Sequence, residues 1–242
     1  MFDHVTIRVA DRAASERFYD TVLAVLGLER RSADVWAEWG DFSVSDPSPE
    51  HPLTKRLHIA FRAESPELVD EFWRVGTGAG YRDDGPPGPR PQYTPAYYGA
   101  FLLDPDGNSV EAVYNPPLRD DGGTLDHLWL RVRDLAESCR FYEMLAPWTG
   151  FEPQGPHEFG AGFAAANGSF SLIPGLPTEH VHVAFPAAEN ETVEAFHGAA
   201  VDAGYRDNGG PGERTIYHSG YYGAFVLDPD GNNVEIVNHN RG

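Results

Sequence analysis

The first residues alternate strictly: Val5, Ile7 and Val9 occupy one face of an extended segment, and His4, Thr6 and Arg8 occupy the other. This period of two is that of a half-buried strand. Asp11 is placed to cap the next segment, in which Phe18, Val22, Leu23 and Leu26 recur at helical spacing until Gly27 supplies a stop. Two or three short strands follow, around Val35–Trp39 and Asp41–Ser45, and then a polar, proline-rich connection over 46–54. At Leu57 the pattern restarts, with Leu57, Ile59 and Phe61 opposing His58, Ala60 and Arg62. Ser65-Pro66-Glu67 opens a second helix, with a cap, a proline in the first turn and an acid at the positive end of the dipole. Leu68, Val69, Phe72 and Trp73 supply its buried stripe. Residues 82–95, centred on GPPGPRPQ, are too rich in Gly and Pro for regular structure and are expected to form a loop. The stretch YYGAFLLDPDGNSVE, 97–111, reads as a hairpin, because Asp-Gly between apolar runs is a strong turn signal.

The whole order then recurs. Residues 221–235, YYGAFVLDPDGNNVE, nearly copy 97–111. Ahead of them come a strand at Leu125–Val132, a helix at Leu135–Leu145, strands near Phe159–Ala165 and Ser169–Ile173, a strand at His180–Phe185 and a helix at Glu191–Ala203. The chain is therefore expected to contain two tandem modules, 1–115 and 124–242, joined by a linker at 116–123 within the run NPPLRDDGG. Each module holds two β-α-β-β-β units. The predicted class is α+β, with each module a curled, cup-like mixed sheet and the helices on its outer face.

The chain has 18 basic residues against 37 acidic, a formal charge of −19, which argues against nucleic acid and anionic membranes as partners. Its apolar runs are too short to span a bilayer, and the chain opens directly on a strand, so a cytoplasmic protein is expected, a monomer or homodimer with a small-molecule substrate. The single cysteine, Cys139, falls in a helical pattern and excludes both an internal disulfide and a thiolate-rich zinc module.

Candidate chemistry lies on the polar faces of the strands. The first half places His4, His58 and Glu111 on its first, fifth and last strands; the second places His127, His182 and Glu235 at the matching positions. The intervals are 54 and 53 residues in the first half and 55 and 53 in the second. Both glutamates sit between apolar neighbours, where a carboxylate must be paired, hydrogen-bonded or bound to a metal. Two imidazoles and one carboxylate on separate rigid strands suit a divalent metal that keeps open positions. A single such histidine is more often structural; two matched sets shift the balance toward metal. Arg8, Arg62 and Arg131 share these strand faces and could hold a substrate carboxylate or phosphonate. Trp129, two residues after His127, could wall an aromatic pocket, where Thr6 stands in the other half.

The segments FDHVTIRV and LDHLWLRV, LHIAF and VHVAF, and the two DPDGNxVE hairpins make the chain resemble the vicinal oxygen chelate superfamily over nearly its whole length. That superfamily includes glyoxalase I, extradiol dioxygenases, fosfomycin-resistance enzymes and bleomycin-resistance proteins. The resemblance implies a cup around a divalent ion, Fe2+ or Mn2+ foremost with Ni2+ or Zn2+ as alternatives, held by His4, His58, Glu111, His127, His182 and Glu235 and chelated by vicinal oxygens of the substrate. Glyoxalase I adds a fourth carboxylate ligand on the fourth strand, which here reads DFSVS or SFSLI, so the three-ligand set leans toward an extradiol-dioxygenase-like site. His218 stands where the extradiol signature has a histidine and is the candidate general acid or base, though a solvated loop histidine is the plain alternative. The signature tyrosine is Phe225, so Tyr217, Tyr221 or Tyr222 would have to supply the hydroxyl. With His218 and Trp129 both assigned to the second half, that half is expected to take an aromatic diol, with Trp129, Arg131, Tyr217 and Tyr222 as substrate contacts. The other readings are a sequestering protein without turnover and a glyoxalase- or fosfomycin-resistance-type lyase or transferase. Extradiol enzymes draw each triad from one module, whereas the glyoxalase and fosfomycin-resistance types exchange halves; the sequence leaves both open.

Overall fold

The computed structural model describes residues 1–32, 35–116 and 123–241. The expected linker at 116–123 therefore lies almost wholly outside the described residues. Four β-α-β-β-β units follow one another. The first is β1 (His4–Arg8), α1 (Arg12–Leu23), β2 (Arg31–Ser32), β3 (Trp36–Trp39) and β4 (Phe42–Ser45). The second is β5 (His58–Arg62), α2 (Pro66–Gly78), β6 (Arg82–Pro89), β7 (Tyr98–Leu103) and β8 (Ser109–Tyr114). The third is β9 (Leu125–Val132), α3 (Leu135–Thr149), β10 (Glu152–His157), β11 (Gly160–Ala165) and β12 (Gly168–Pro174). The fourth is β13 (His182–Pro186), α4 (Asn190–Asp202), β14 (Arg206–Glu213), β15 (Tyr222–Leu227) and β16 (Asn233–Asn238). The strands form two curled, open sheets of eight.

By compactness the chain divides differently from its repeats. One unit is Thr6–Trp129, and the other is Met1–Val5 with Leu130–Gly242. The divisions fall inside β1 and β9, the first strand of each repeat. In the Thr6–Trp129 unit the order β9-β5-β8-β7-β6 is antiparallel except for the parallel pair β5–β8. Its core stacks aromatic rings: Tyr19 lies 4.7 Å from Phe42, and Phe42 lies 5.3 Å edge-on to Phe61. In the other unit the order β14-β15-β16-β13-β1 is matched by the parallel pair β13–β16, and Asp3 N–H donates to Ala184 C=O at 2.9 Å where β1 begins. There Phe163 stacks on Phe170 at 4.7 Å, and Phe151 meets both.

The glycine- and proline-rich stretch expected as a loop is instead strand β6, and its counterpart is β14. Both lie at a sheet edge, where a residue without an N–H is tolerated, and both carry register shifts at Asp83/Gly85 and Asp207/Gly209 that absorb the unusual residues. Strand β10, also at an edge and containing two prolines, is a further strand absent from the sequence reading. Helix α3 runs past Leu145 through Pro147 to Thr149 before Gly150 turns it off in the left-handed region at φ 69°.

The DPDGN turns do more than reverse the chain. Asp228 accepts from the N–H groups of Asp230 and Asn232 at 3.0 and 2.8 Å through one oxygen. Its other oxygen accepts from the Asn232 amide and from the Tyr142 hydroxyl of α3, both at 3.0 Å. Asn232 in turn accepts from Val181 N–H at 3.2 Å at the start of β13. Asp104, Asn108, Tyr19 and Leu57 repeat the arrangement bond for bond. One buried carboxylate therefore ties hairpin, helix and the histidine-bearing strand together, and burial pushes the Asp228 carboxyl up to about 6 against the pull of the Asn232 and Tyr142 hydrogen bonds.

Candidate metal centres

Strand alternation decides what meets. On the parallel pair β13–β16, His182 pairs with Asn233 and Ala184 with Glu235; on β15–β16, Phe225 pairs with Glu235. Cross-strand partners share a face, so His182, Glu235, Phe225 and Gly223 look the same way. His4 arrives on this face from β1. Nε2 of His4, Nε2 of His182 and Oε2 of Glu235 converge, at 3.1 Å between the imidazoles, 3.0 Å from His182 to Glu235 and 3.6 Å from His4 to Glu235. In the Thr6–Trp129 unit, His58, His127 and Glu111 do the same, with separations of 3.3, 3.1 and 3.4 Å. Each set gathers the first-strand histidine of one repeat with the fifth-strand histidine and final glutamate of the other, so the halves are exchanged.

The outward nitrogens are held from behind. Nδ1–H of His127 donates to Asp126 at 2.9 Å, and Nδ1 of His4 faces Asp3 at 2.8 Å. Nδ1 of His58 lies 3.1 Å from the Ser109 hydroxyl, which donates to Asp84 at 2.7 Å; Nδ1 of His182 differs, accepting from the Asn233 amide N–H at 2.5 Å. The second oxygen of each glutamate accepts from a tyrosine, Tyr97 at 2.7 Å and Tyr221 at 2.8 Å. Burial and the neighbouring carboxylates push both phenols far above their ordinary range, so they remain donors. Gly99 and Gly223 leave the space for the carboxylates, since a Cβ at either would meet the glutamate Oε1.

The His58, Glu111 and His127 set fits a divalent ion. With His58 and His127 each donating from Nδ1, two imidazole lone pairs and a carboxylate oxygen point at one another, an arrangement that calls for a cation between them. Donors sharing one ion at ~2.1 Å lie about 3.0–3.4 Å apart for right-angled or tetrahedral bonds, which spans most of the separations observed. Outward hydrogen bonds of this kind orient ligands and raise their basicity.

Without an ion, protons fill the role at the buried set. Burial pushes the Glu111 carboxyl up, but hydrogen bonding and charge from His127 and His58 outweigh it and hold it at about 2. Burial pushes His127 down, but Asp126 and Glu111 outweigh it and lift the imidazole to about 9. The signs follow. The His127 contribution to stability is complete below its unfolded value and is lost as pH rises through about 9; the Glu111 contribution is complete above its unfolded value and is lost as pH falls through about 2. An ion entering this set displaces the His127 proton. Its apparent affinity should therefore climb about tenfold per unit between pH 7 and 9 and then level off. Zn(II) titration calorimetry in buffers of different ionisation enthalpy measures this directly, and a pH-independent affinity would contradict it.

The two sets differ in access. Side-chain exposure is 27% for His4 and 13% for His182, against 5% for His58 and 7% for His127. Trp129 makes the difference: its ring lies 4.8 Å from that of His58 and 6.1 Å from that of His127, with Tyr93 edge-on at 5.6 Å. His218, by contrast, lies against Tyr221, ring to ring at 5.4 Å, in the unit of His4, His182 and Glu235. The indole and the candidate general acid thus belong to different sets, which corrects their assignment to one pocket. The cause is the exchange, because β9 carries Trp129 to His58.

Other candidate residues sort by face. Phe225 lies 6.0 Å from the His182 ring, on the site side. Tyr222 is one position out of phase; its hydroxyl donates to Glu194 of α4 at 2.9 Å, so it is not brought to the site. Tyr217 is half exposed, 4.7 Å from Tyr221. Arg131 continues the His127 and Trp129 face of β9 but is exposed, close to Gly175. Tyr97, the two glycines and the Asp3 and Asp126 partners were not singled out from the sequence; their signal was the alternation in YYGAF and the Asp-His dipeptide at both first strands.

Paired β-α-β-β-β units in two curled, open sheets define the fold class. The chain belongs to the Glyoxalase/Bleomycin resistance protein/Dioxygenase superfamily, whose model matches residues 1–112 and again 124–236. No curated protein sequence gives a significant match. Among solved structures, glyoxalase I from Zea mays is 18% identical with a TM-score of 0.68, covering 98% of this chain and 92% of that one. A putative dioxygenase from Bacillus subtilis is 14% identical with a TM-score of 0.68, covering 100% and 86%. At these identities the likeness is one of fold. Among the described residues no helix is long and apolar enough to cross a membrane.

Proposed function

We propose that the chain is a divalent-metal-dependent enzyme acting on a small substrate that presents two neighbouring oxygens, with His4, His182 and Glu235 as its working site. The convergence of Nε2, Nε2 and Oε2 in a solvent-reachable position carries this reading. Bound there, the ion would supply Lewis acidity or, if iron, oxygen activation. The remaining tasks belong to the chain. Asp3 and Asn233 keep the imidazoles in place, and Tyr221 fixes the carboxylate. Phe225 offers an apolar wall, and His218 serves as the proton-transfer group. The His58, Glu111 and His127 set, roofed by Trp129, is read as a metal site that stabilises the fold.

Ring cleavage of the extradiol kind is the weaker version. Phe225 brings no hydroxyl to the site, and the exchanged grouping is the one the resemblance associates with the glyoxalase and fosfomycin-resistance types. A lyase- or transferase-like reaction is therefore favoured. Purification without chelators followed by elemental analysis should find a divalent ion, and adding Mn(II), Fe(II), Ni(II) or Zn(II) to stripped protein should raise its melting temperature. Neither happening would sink the metal reading. A panel of hemithioacetals, epoxides and catechols under each metal then separates turnover from binding alone; binding with no product would favour a sequestering role.

A further inference from the structure

His239 has no place in the site as described, yet it sits between two of its parts. Its Nδ1 lies 2.8 Å from Nε2 of His218, with the rings stacked at 5.0 Å, and its Nε2 lies 2.8 Å from Oδ2 of Asp3. Asp3 uses its other oxygen on Nδ1 of His4 at 2.8 Å. At the far end, Nδ1 of His218 lies 2.8 Å from the Ser219 carbonyl. A continuous line therefore runs from Ser219 through His218, His239 and Asp3 to His4, all within one compact unit.

Hydrogens along this line can be counted. The Ser219 carbonyl only accepts, and so does a carboxylate oxygen; between them stand two rings and three short contacts. Each contact requires one hydrogen, three in all, whereas two neutral imidazoles bring two. The count is the same whichever contact the third hydrogen is nearest. The groups facing the pair are Asp3 ahead of β1 and Tyr221 ahead of β15, with His4 reached only through Asp3. In the other half Thr94 and Asn115 stand at the positions of His218 and His239, joined by one hydroxyl-to-amide bond of 2.8 Å, and among the described residues no imidazole pair takes their place.

We propose that His218 and His239 form a proton-sharing pair that holds one transferable proton beside the solvent-reachable site, and that His239 is a positioning residue fixing both His218 and Asp3. The proposal rests on the reading of that site as the working one. It makes the two donor sets chemically unlike: one has a proton store, the other has none.

The test uses the full chain with 15N-labelled histidine, metal-free and Zn(II)-loaded. The pair should show three nitrogen-bound hydrogens over two rings and a nitrogen-to-nitrogen coupling across the shared hydrogen. His239→Asn, the residue the other half uses, should abolish the coupling and leave His218 without a nitrogen partner for its Nε2. It should also weaken Zn(II) binding at His4, His182 and Glu235 by about tenfold. His239→Gln, which can still donate to Asp3 but cannot share a proton, should restore Zn(II) affinity without restoring the coupling or the pH profile of turnover. Only two nitrogen-bound hydrogens over the two rings, or no nitrogen-to-nitrogen coupling between them, would overturn the pair. Because the spectra require neither metal nor turnover, a failure of the metal reading would appear separately, as absent Zn(II) binding with the pair intact.

Discussion

Glu235→Gln is expected to abolish divalent-metal binding at the His4–His182 set and with it turnover, while leaving the Glu111 set loaded. The carboxylate is the only anion among the three donors and is 1% exposed. Replacing it with an amide keeps the shape and the contact with Tyr221 but presents a neutral group to the ion. Removing an outlying partner of a ligand already costs 10–100-fold in affinity, so losing the anionic ligand itself should exceed ~100-fold. Metal stoichiometry should fall from two ions per chain to one, and activity should drop to background. Glu111→Gln provides the contrast: it should also remove one ion, but it should cost melting temperature more than activity, since Trp129 roofs that set. If both variants lost activity equally, the division between a working and a stabilising site would be wrong.

The second large effect lies away from the metals. Asp228→Ala should destabilise the protein by roughly 3–5 kcal/mol, the range for breaking a buried, multiply bonded charged group. It strands the Tyr142 hydroxyl on α3, two backbone N–H groups of the turn and the Asn232 amide, all buried or partly buried. Each unsatisfied group costs about 1–3 kcal/mol by itself, with relaxation and water recovering part. Asp228→Asn keeps one accepting oxygen but turns an N–H2 toward donors, and should cost about half as much. Asp104→Ala should match Asp228→Ala, because Tyr19, Asn108 and Leu57 reproduce every bond. Urea unfolding followed by tryptophan fluorescence and circular dichroism measures all three. A loss below ~1 kcal/mol would mean that the turn aspartate is only a chain-reversal residue.

That second result bears on what a repeat sequence reveals. DPDGN read as a hairpin turn and is one, since Gly231 and Gly107 adopt φ of +90° and +87°. Its aspartate, however, also bonds a tyrosine 86 residues earlier, and no local pattern records such a partner. The same holds for edge strands β6, β10 and β14. Their prolines and glycines argue against a strand locally, and only a position at the sheet margin makes those residues acceptable.

By itself, the sequence determined the four units, their order, and six candidate donors, because alternation of period two and recurrence at fixed offset are properties of the chain alone. It placed each histidine on the polar face of its strand and each glutamate among apolar neighbours, and those placements follow from local geometry. Which histidine meets which glutamate was decided only in three dimensions. His4 and His182 stand 178 residues apart, and nothing in the spacing distinguishes that pairing from His4 with His58. The pairing of β1 beside β13, and of β9 beside β5, settles it, since each first strand ends up next to the fifth strand of the other repeat. That exchange carries Trp129 to the His58 set and leaves Thr6 on the strand of His4. Two donor sets nearly identical in sequence thereby become one that is roofed and one that solvent reaches.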